Sequence, residues 1–145
     1  MKINQSCIFC KIISRDAKAE ILYEDDLVVA FLDIAPINRG HVLVIPKEHY
    51  NSSSALPEEI AGRLLYIGGR FGTACKRALD ADGFNLHLAD GLSAGQIVPH
   101  VHLHVIPRFA SDGFHWNWRK LEIDSGEYNE IAVQIKSKLK VNNNK

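Results

Sequence analysis

Pro99-His100-Val101-His102-Leu103-His104-Val105-Ile106-Pro107-Arg108 sets three histidines in alternation with apolar residues. Successive side chains of a β-strand point to opposite faces, so His100, His102 and His104 are expected on one face and Val101, Leu103 and Val105 on the other. Three neighbouring imidazoles can exchange protons near neutral pH, ligate a transition metal or attack an electrophile. Histidine is seldom concentrated like this for packing alone, so the row predicts chemistry. A second cluster, Cys7-x-x-Cys10, is weaker by itself. It suits a redox pair, two small buried residues or half of a metal site.

The elements that must position these residues follow from local pattern. Ile8 to Ser14 reads as a short helix, and Ala19 to Tyr23 with Leu27 to Asp33 as a hairpin around the acidic corner Glu24-Asp25-Asp26. Ala35 to Gly40 is a loop, and His41-Val42-Leu43-Val44-Ile45, stopped by Pro46, is a strand buried on both faces. From Pro57, expected at the first helical position, Ile60, Leu64, Ile67, Phe71, Ala74 and Ala78 recur at helical spacing and predict one long helix ending near Gly83. Gly68, Gly69 and Gly72 lie inside it, each costly against Ala, which suggests close approach by another element such as a second subunit. Phe84 to Ala89 alternates as a strand, Asp90 to Gln96 is a Gly-rich loop, and the histidine strand follows. Residues 125–139 predict a C-terminal helix, and 141–145 a frayed tail. The sum is one α+β domain over residues 1–145, with a mostly antiparallel sheet of about five strands, one long helix and a C-terminal helix.

At 145 residues the chain fits a single core. Seventeen basic residues balance seventeen acidic ones without long runs, so the electrostatic footprint of a nucleic-acid binder is missing. No apolar run is long enough for a membrane span, and three cysteines without an export signal favour reduced thiols or metal ligands over disulfides. A soluble, cytoplasmic protein is expected.

Gly40-His41-Val42-Leu43-Val44-Ile45-Pro46-Lys47, Gly95-Gln96 and His100-Val101-His102-Leu103-His104-Val105 together resemble the histidine triad (HIT) family of nucleotide hydrolases and transferases. Cys7-Ile8-Phe9-Cys10-Lys11-Ile12 matches too, so the resemblance runs from residue 7 to about 109. It implies a HIT-like fold and hydrolysis at the α-phosphate of an adenosine or other purine nucleotide conjugate, a phosphoramidate or a dinucleoside polyphosphate. His102 matches the family's nucleophile, which forms a nucleotidyl-histidine intermediate and releases a nucleoside monophosphate. That role requires an acceptor, such as a backbone carbonyl, to hold the His102 tautomer. His104 matches a histidine that contacts the phosphate and aids proton transfer, and His41 one that supports the phosphate site from a neighbouring strand. Gly95 and Gln96 match amides placed against the phosphate, Asp33 a ribose-binding position, and Phe9, Phe31 and Ile34 apolar positions lining the base.

Two positions depart from the pattern. Ile97, directly after the glutamine, stands where better-known branches carry Ser or Thr, and its side chain cannot donate a hydrogen bond to phosphate or leaving group. Ala89 stands where an Asn or Gln commonly reaches the phosphate. Both put the leaving-group preference in question. Cys7, Cys10, His49 and His100 resemble the structural zinc site of one subset of the family; two thiolates and two imidazoles complete a tetrahedral set that leaves no position open for water. Cys75 reads as core.

Two other classes remain open at this point. One is a metallohydrolase with His100, His102 and His104 as catalytic ligands; the other is a nucleotide-binding regulatory module with little catalysis. The resemblance also implies a homodimer, paired through the long helix and an edge strand. Trp116 and Trp118 suit either packing or a leaving-group pocket, and His87 and His115 have no assignment.

Overall fold

Five strands form one antiparallel sheet in the order β1-β2-β3-β5-β4: β1 (Ile21–Glu24), β2 (Val28–Leu32), β3 (Val42–Pro46), β4 (Gly83–Leu88) and β5 (Leu103–Arg108). This computed structural model describes residues 2–117 and 120–139. Trp118 and the tail expected at 141–145 lie outside the described residues. The chain divides into two compact units, 1–114 and 115–145. The first holds the sheet, a short helix α1 (Ile8–Ile13) and the long helix α2 (Glu58–Leu79). The second holds α3 (Ser125–Lys138), whose cap residue Asp124 accepts from the N–H groups of Gly126 and Glu127.

Strand alternation divides the apolar residues between two cores. Val28, Ala30, Val42, Val44, Leu103 and Val105 pack with Ile60, Leu64 and Ile67 of α2. On the other face Val29, Phe31, Leu43 and Ile45 pack with Phe9, Cys10 and Ile12 of α1. Cover on both faces is why β3 reads as an unbroken apolar run, as expected. At the far end of β5, Arg108 holds Asp112 through two nitrogens (2.7 and 3.0 Å), which fixes the chain as it leaves the sheet.

Pro57 sits one place earlier than expected, capping α2 rather than opening it, with Glu58 and Glu59 in the first turn where the helix dipole favours acidic groups. The helix stops at Leu79, short of Gly83, because Asp80 turns left-handed at φ 55° and Gly83 already belongs to β4. Gly40 has φ +80°, and a Cβ there would overlap Leu79, so the turn into β3 requires glycine.

The α2 glycines correct one expectation. Gly68 and Gly72 face the chain's own sheet, not a second subunit: a Cβ on Gly68 would lie 2.6 Å from Leu103 Cδ2, and one on Gly72 would overlap the Phe84 ring. Gly69 meets nothing within 4 Å. Gly72→Ala is therefore expected to lower stability by about 1–3 kcal/mol, whereas Gly69→Ala raises it by about 0.5–1 kcal/mol through helix propensity. Urea-unfolding midpoints of the two variants check the opposite signs.

Candidate active site and metal cluster

The histidine row does not lie on one regular strand. β5 begins at Leu103, and residues 98–100 form a bend in which the His100 N–H reaches back to the Val98 carbonyl (2.8 Å). The bend sends His100 toward the N-terminal segment and leaves His102 and His104 as neighbours, ring centroids 4.9 Å apart. Phe9 touches both sides of the divide, edge-on to His100 at 5.8 Å and to His102 at 5.2 Å.

Fixed donors and acceptors determine the tautomers. His102 Nδ1 lies 2.7 Å from the His100 carbonyl, which can only accept, so Nδ1 carries the proton and Nε2 keeps its lone pair. His41 Nδ1 accepts from the Ile37 N–H (3.1 Å), so the proton of neutral His41 sits on Nε2 and is donated to His104 Nδ1 at 2.9 Å. His104 in turn carries its proton on Nε2. The chain from Ile37 through His41 to His104 thus ends in a directed N–H, beside the free lone pair of His102.

Burial lowers the pKa of His41, His102 and His104, with His104 brought to about 4 by burial and by the neighbouring His102 and His41. All three are neutral at pH 7. Asp33 opposes the shift: its Oδ2 lies 3.6 Å from His41 Nε2 and 4.0 Å from His104 Nδ1, while Oδ1 accepts from the Ala35 N–H. A buried imidazole that stays neutral destabilises the fold at low pH, because the unfolded chain takes up protons near pH 6.5 and the native protein does not. Between pH 6.5 and 5, His104 alone is expected to remove about 2 kcal/mol of stability, continuing down to its folded value near 4. Denaturant melts at pH 7 and 5 measure it, and equal midpoints would count against a buried neutral pair.

Four further ligand atoms converge on the other side of Phe9. Cys7 Sγ and Cys10 Sγ lie 3.5 and 3.8 Å from His100 Nδ1, and Cys10 Sγ lies 3.3 Å from His49 Nδ1. All four atoms fall within 4.8 Å of one another. A tetrahedral zinc with ordinary Zn–S and Zn–N bonds sets S···N separations at about 3.6 Å, so the spacing fits. The protons fit too: His100 Nε2–H donates to the Pro46 carbonyl (3.0 Å) and His49 Nε2–H to Asn51 Oδ1 (2.8 Å), leaving both Nδ1 lone pairs aimed inward. Burial, with Cys7 alongside, pushes the Cys10 thiol up in pKa, a cost that a bound cation reverses.

The strand histidines do not converge as a ligand set among the described residues, against the metallohydrolase expectation. Asp33, His41 and His104 do bring ligand atoms within 4.8 Å. The Ile37 N–H forces the His41 proton onto Nε2, however, which removes that nitrogen as a ligand.

The remaining expected residues fall around this frame. Gln96 is buried and bonded at both ends of its amide, accepting from the Gly91 N–H and donating to the Asn51 carbonyl (both 2.8 Å), so it ties the Gly-rich loop to the segment that carries His49. Gly95 adopts φ +95° beside open space. Phe9 and Phe31 are core residues in edge contact at 5.6 Å, whereas Ile34 (94 % exposed) and Ile97 (85 %) project into solvent. Ala89 is buried, and its neighbour Asp90 is taken up by Ser52 and Ser53. His87, left without an assignment from the sequence, pairs in register with His104.

A five-stranded antiparallel sheet that presents paired histidines from adjacent strands beside a backbone-held third defines a histidine-triad fold. The chain belongs to the HIT family: the HIT domain matches residues 14–111. An adenosine 5'-monophosphoramidase of Schizosaccharomyces pombe is 37 % identical over 136 residues, covering 93 % of this chain and 99 % of the relative. Adenylylsulfatase HINT3 of Arabidopsis thaliana is 34 % identical over 135 residues, covering 93 % and 68 %. A HIT family protein from Bacillus anthracis superposes with TM-score 0.86 at 40 % identity, covering 94 % and 99 % of the two chains. A zinc-bound histidine triad family protein from Mycobacterium smegmatis superposes at 0.74 with 37 % identity, covering 91 % and 96 %. At family level this is a nucleotide-hydrolase scaffold. No described helix is long and apolar enough to cross a membrane.

Proposed function

We propose that the protein is a nucleotide hydrolase acting at the α-phosphate of an adenosine or related purine nucleotide conjugate. The observation that carries the reading is the His102 tautomer: a buried imidazole with Nδ1–H held by a carbonyl and Nε2 unprotonated, beside the Nε2–H of His104. In the first step the His102 Nε2 lone pair attacks phosphorus, the N–P bond forms and the bond to the leaving group breaks. The leaving group departs with the electron pair and takes a proton from solvent. The His100 carbonyl supports the positive charge that spreads to Nδ1, and the His104 N–H steadies a phosphoryl oxygen. In the second step water attacks the phosphorus and gives up a proton to solvent, the O–P bond forms as the N–P bond breaks, and nucleoside monophosphate and neutral His102, still protonated on Nδ1, result.

His41 orients His104. The Gly95 backbone and the second N–H of Gln96 face the phosphate, Asp33 takes the ribose hydroxyls, and Phe9, Phe31 and Ile34 supply apolar surface toward the base. Ile97 offers no hydrogen bond to the leaving group. Cys7, Cys10, His49 and His100 would hold a structural zinc, which supplies cross-linking of the N-terminal segment and no chemistry at phosphorus. We further propose that residues 1–145 act as one HIT domain, in a cytoplasmic, reducing setting that suits the free thiols of Cys7, Cys10 and Cys75, and as a homodimer. The open edge of β4 supports the last. The balanced charge supports a small-molecule substrate over nucleic acid.

Initial rates of AMP release from an adenosine phosphoramidate and a diadenosine polyphosphate test the reading, and the faster substrate identifies the leaving group. Tight nucleotide binding without turnover of either would establish a binding module instead.

A further inference from the structure

The direction of the His41–His104 hydrogen bond is set from outside the pair. Its proton could sit on His41 Nε2 or on His104 Nδ1, and Asp33, 3.6 Å from the first atom and 4.0 Å from the second, attracts a proton on either. The Ile37 N–H decides, because it occupies the His41 Nδ1 lone pair and leaves the His41 proton to Nε2. Ile37 lies in the loop between β2 and β3, where residues 34–37 are exposed. The Ala35 N–H bonds Asp33 Oδ1 (2.9 Å) and the His41 N–H bonds the Asn38 carbonyl (3.1 Å), contacts that shape the loop without reaching beyond it.

The Asn38 side chain does reach beyond it. Its half-buried amide donates to the Pro107 carbonyl of β5 (2.8 Å) and to Asp112 Oδ2 (2.9 Å), partners 69 and 74 positions along the chain. Both partners can only accept, so the amide must turn its NH2 toward them. Asp112 is a firm anchor, since its carboxylate also holds Arg108 and accepts from the N–H groups of Phe109 (3.1 Å) and Phe114 (3.0 Å).

We propose that Asn38 is a positioning residue for the reaction: by tethering the β2–β3 loop to the end of β5, it keeps the Ile37 N–H on His41 and so keeps the His104 proton on Nε2. The inference rests on the nucleotide-hydrolase reading for the use made of that N–H, and on geometry alone for its direction. With the tether gone, water takes the place of the Ile37 N–H and the His41 proton moves to Nδ1. His104 then donates Nδ1–H to His41 Nε2, and both rings stay neutral. The Nε2 of His104 would present a lone pair where the phosphate oxygen needs a donor.

Nitrogen NMR of protein labelled in its histidines reads these tautomers without any substrate, because protonated and unprotonated ring nitrogens resonate far apart. Asn38→Ala removes the tether, whereas Asn38→Asp keeps its shape and sets a carboxylate against Asp112 and the Pro107 carbonyl. Wild type is expected to carry the protons of His41 and His104 on Nε2, and both variants to carry them mostly on Nδ1. In the variants kcat for AMP release is expected to fall about tenfold, with adenosine binding unchanged. Wild-type tautomers in either folded variant, or shifted tautomers with kcat unchanged, would overturn the inference. Failure of both variants to fold would overturn it too, making Asn38 a stability residue. A wild type that shows the expected tautomers but releases no AMP would sink the hydrolase reading and leave the tether's control of the proton intact.

Discussion

His102→Ala is expected to fold, retain its metal and lose about 10⁴-fold or more in kcat on whichever adenylyl conjugate the wild type cleaves, since without the nucleophile the two-step route is gone. The size of the effect separates this residue from its neighbours. His104→Ala removes one hydrogen bond to the phosphate and leaves His102 in place, so its loss is smaller, on the order of 10²-fold. Fold is preserved because the His102 side chain contributes only an edge contact to Phe9 of α1 and a hydrogen bond to a carbonyl two residues away, while α1 keeps its contacts with Val29, Phe31, Leu43 and Ile45. Full activity in a folded His102→Ala protein would exclude His102 as nucleophile.

The second large effect concerns the metal cluster. Cys10→Ser, or chelation of the wild type, is expected to release zinc and lower Tm by at least about 10 °C, since structural zinc sites contribute many kcal/mol and each kcal/mol moves a chain of this size by about 2–4 °C. The cluster joins parts far apart in sequence: Cys7 and Cys10 to His49 after β3 and to His100 before β5. It also touches the candidate nucleophile indirectly. The carbonyl that holds His102 Nδ1–H belongs to His100, and Phe9, set between the two cysteines, lies edge-on to the His102 ring. Activity should therefore decline with zinc content. Calorimetric melting and metal analysis of Cys10→Ser provide the check, and an unchanged Tm with full zinc content would contradict the assignment.

Strand alternation made much of this fold legible. Val42 to Ile45 and the alternation in 84–89 translate directly into buried β3 and into β4 with one face in the core, because side-chain period alone decides which face a residue takes. Period holds even beyond the ladder: Val101 joins Leu103 and Val105 in the core under α2, and His100 shares the opposite face with His102, both against Phe9. What alternation does not encode is the bend at 98–100, just ahead of β5, where the His100 ring meets the cysteines. Gly68 and Gly72 signalled a close approach without naming the partner, which is Leu103 and Phe84 of the same chain. His87 had no assignment from the sequence because its neighbour His104 is set by the β4–β5 register, and registers between strands are long-range facts. The glutamine in the Gly-rich loop is similar: nothing local to Gln96 points to the Asn51 carbonyl, forty-five positions away in sequence, that holds its amide.

The most direct test of the central claim, a covalent nucleotidyl-His102 intermediate, is the stereochemical course at phosphorus. A substrate chiral at the α-phosphorus is hydrolysed in water enriched in heavy oxygen, and the configuration of the released monophosphate is determined. Two in-line displacements, first by His102 Nε2 and then by water, predict net retention. Inversion would mean that water attacks the substrate directly, and the histidine would then be a base or a binding group but not the nucleophile.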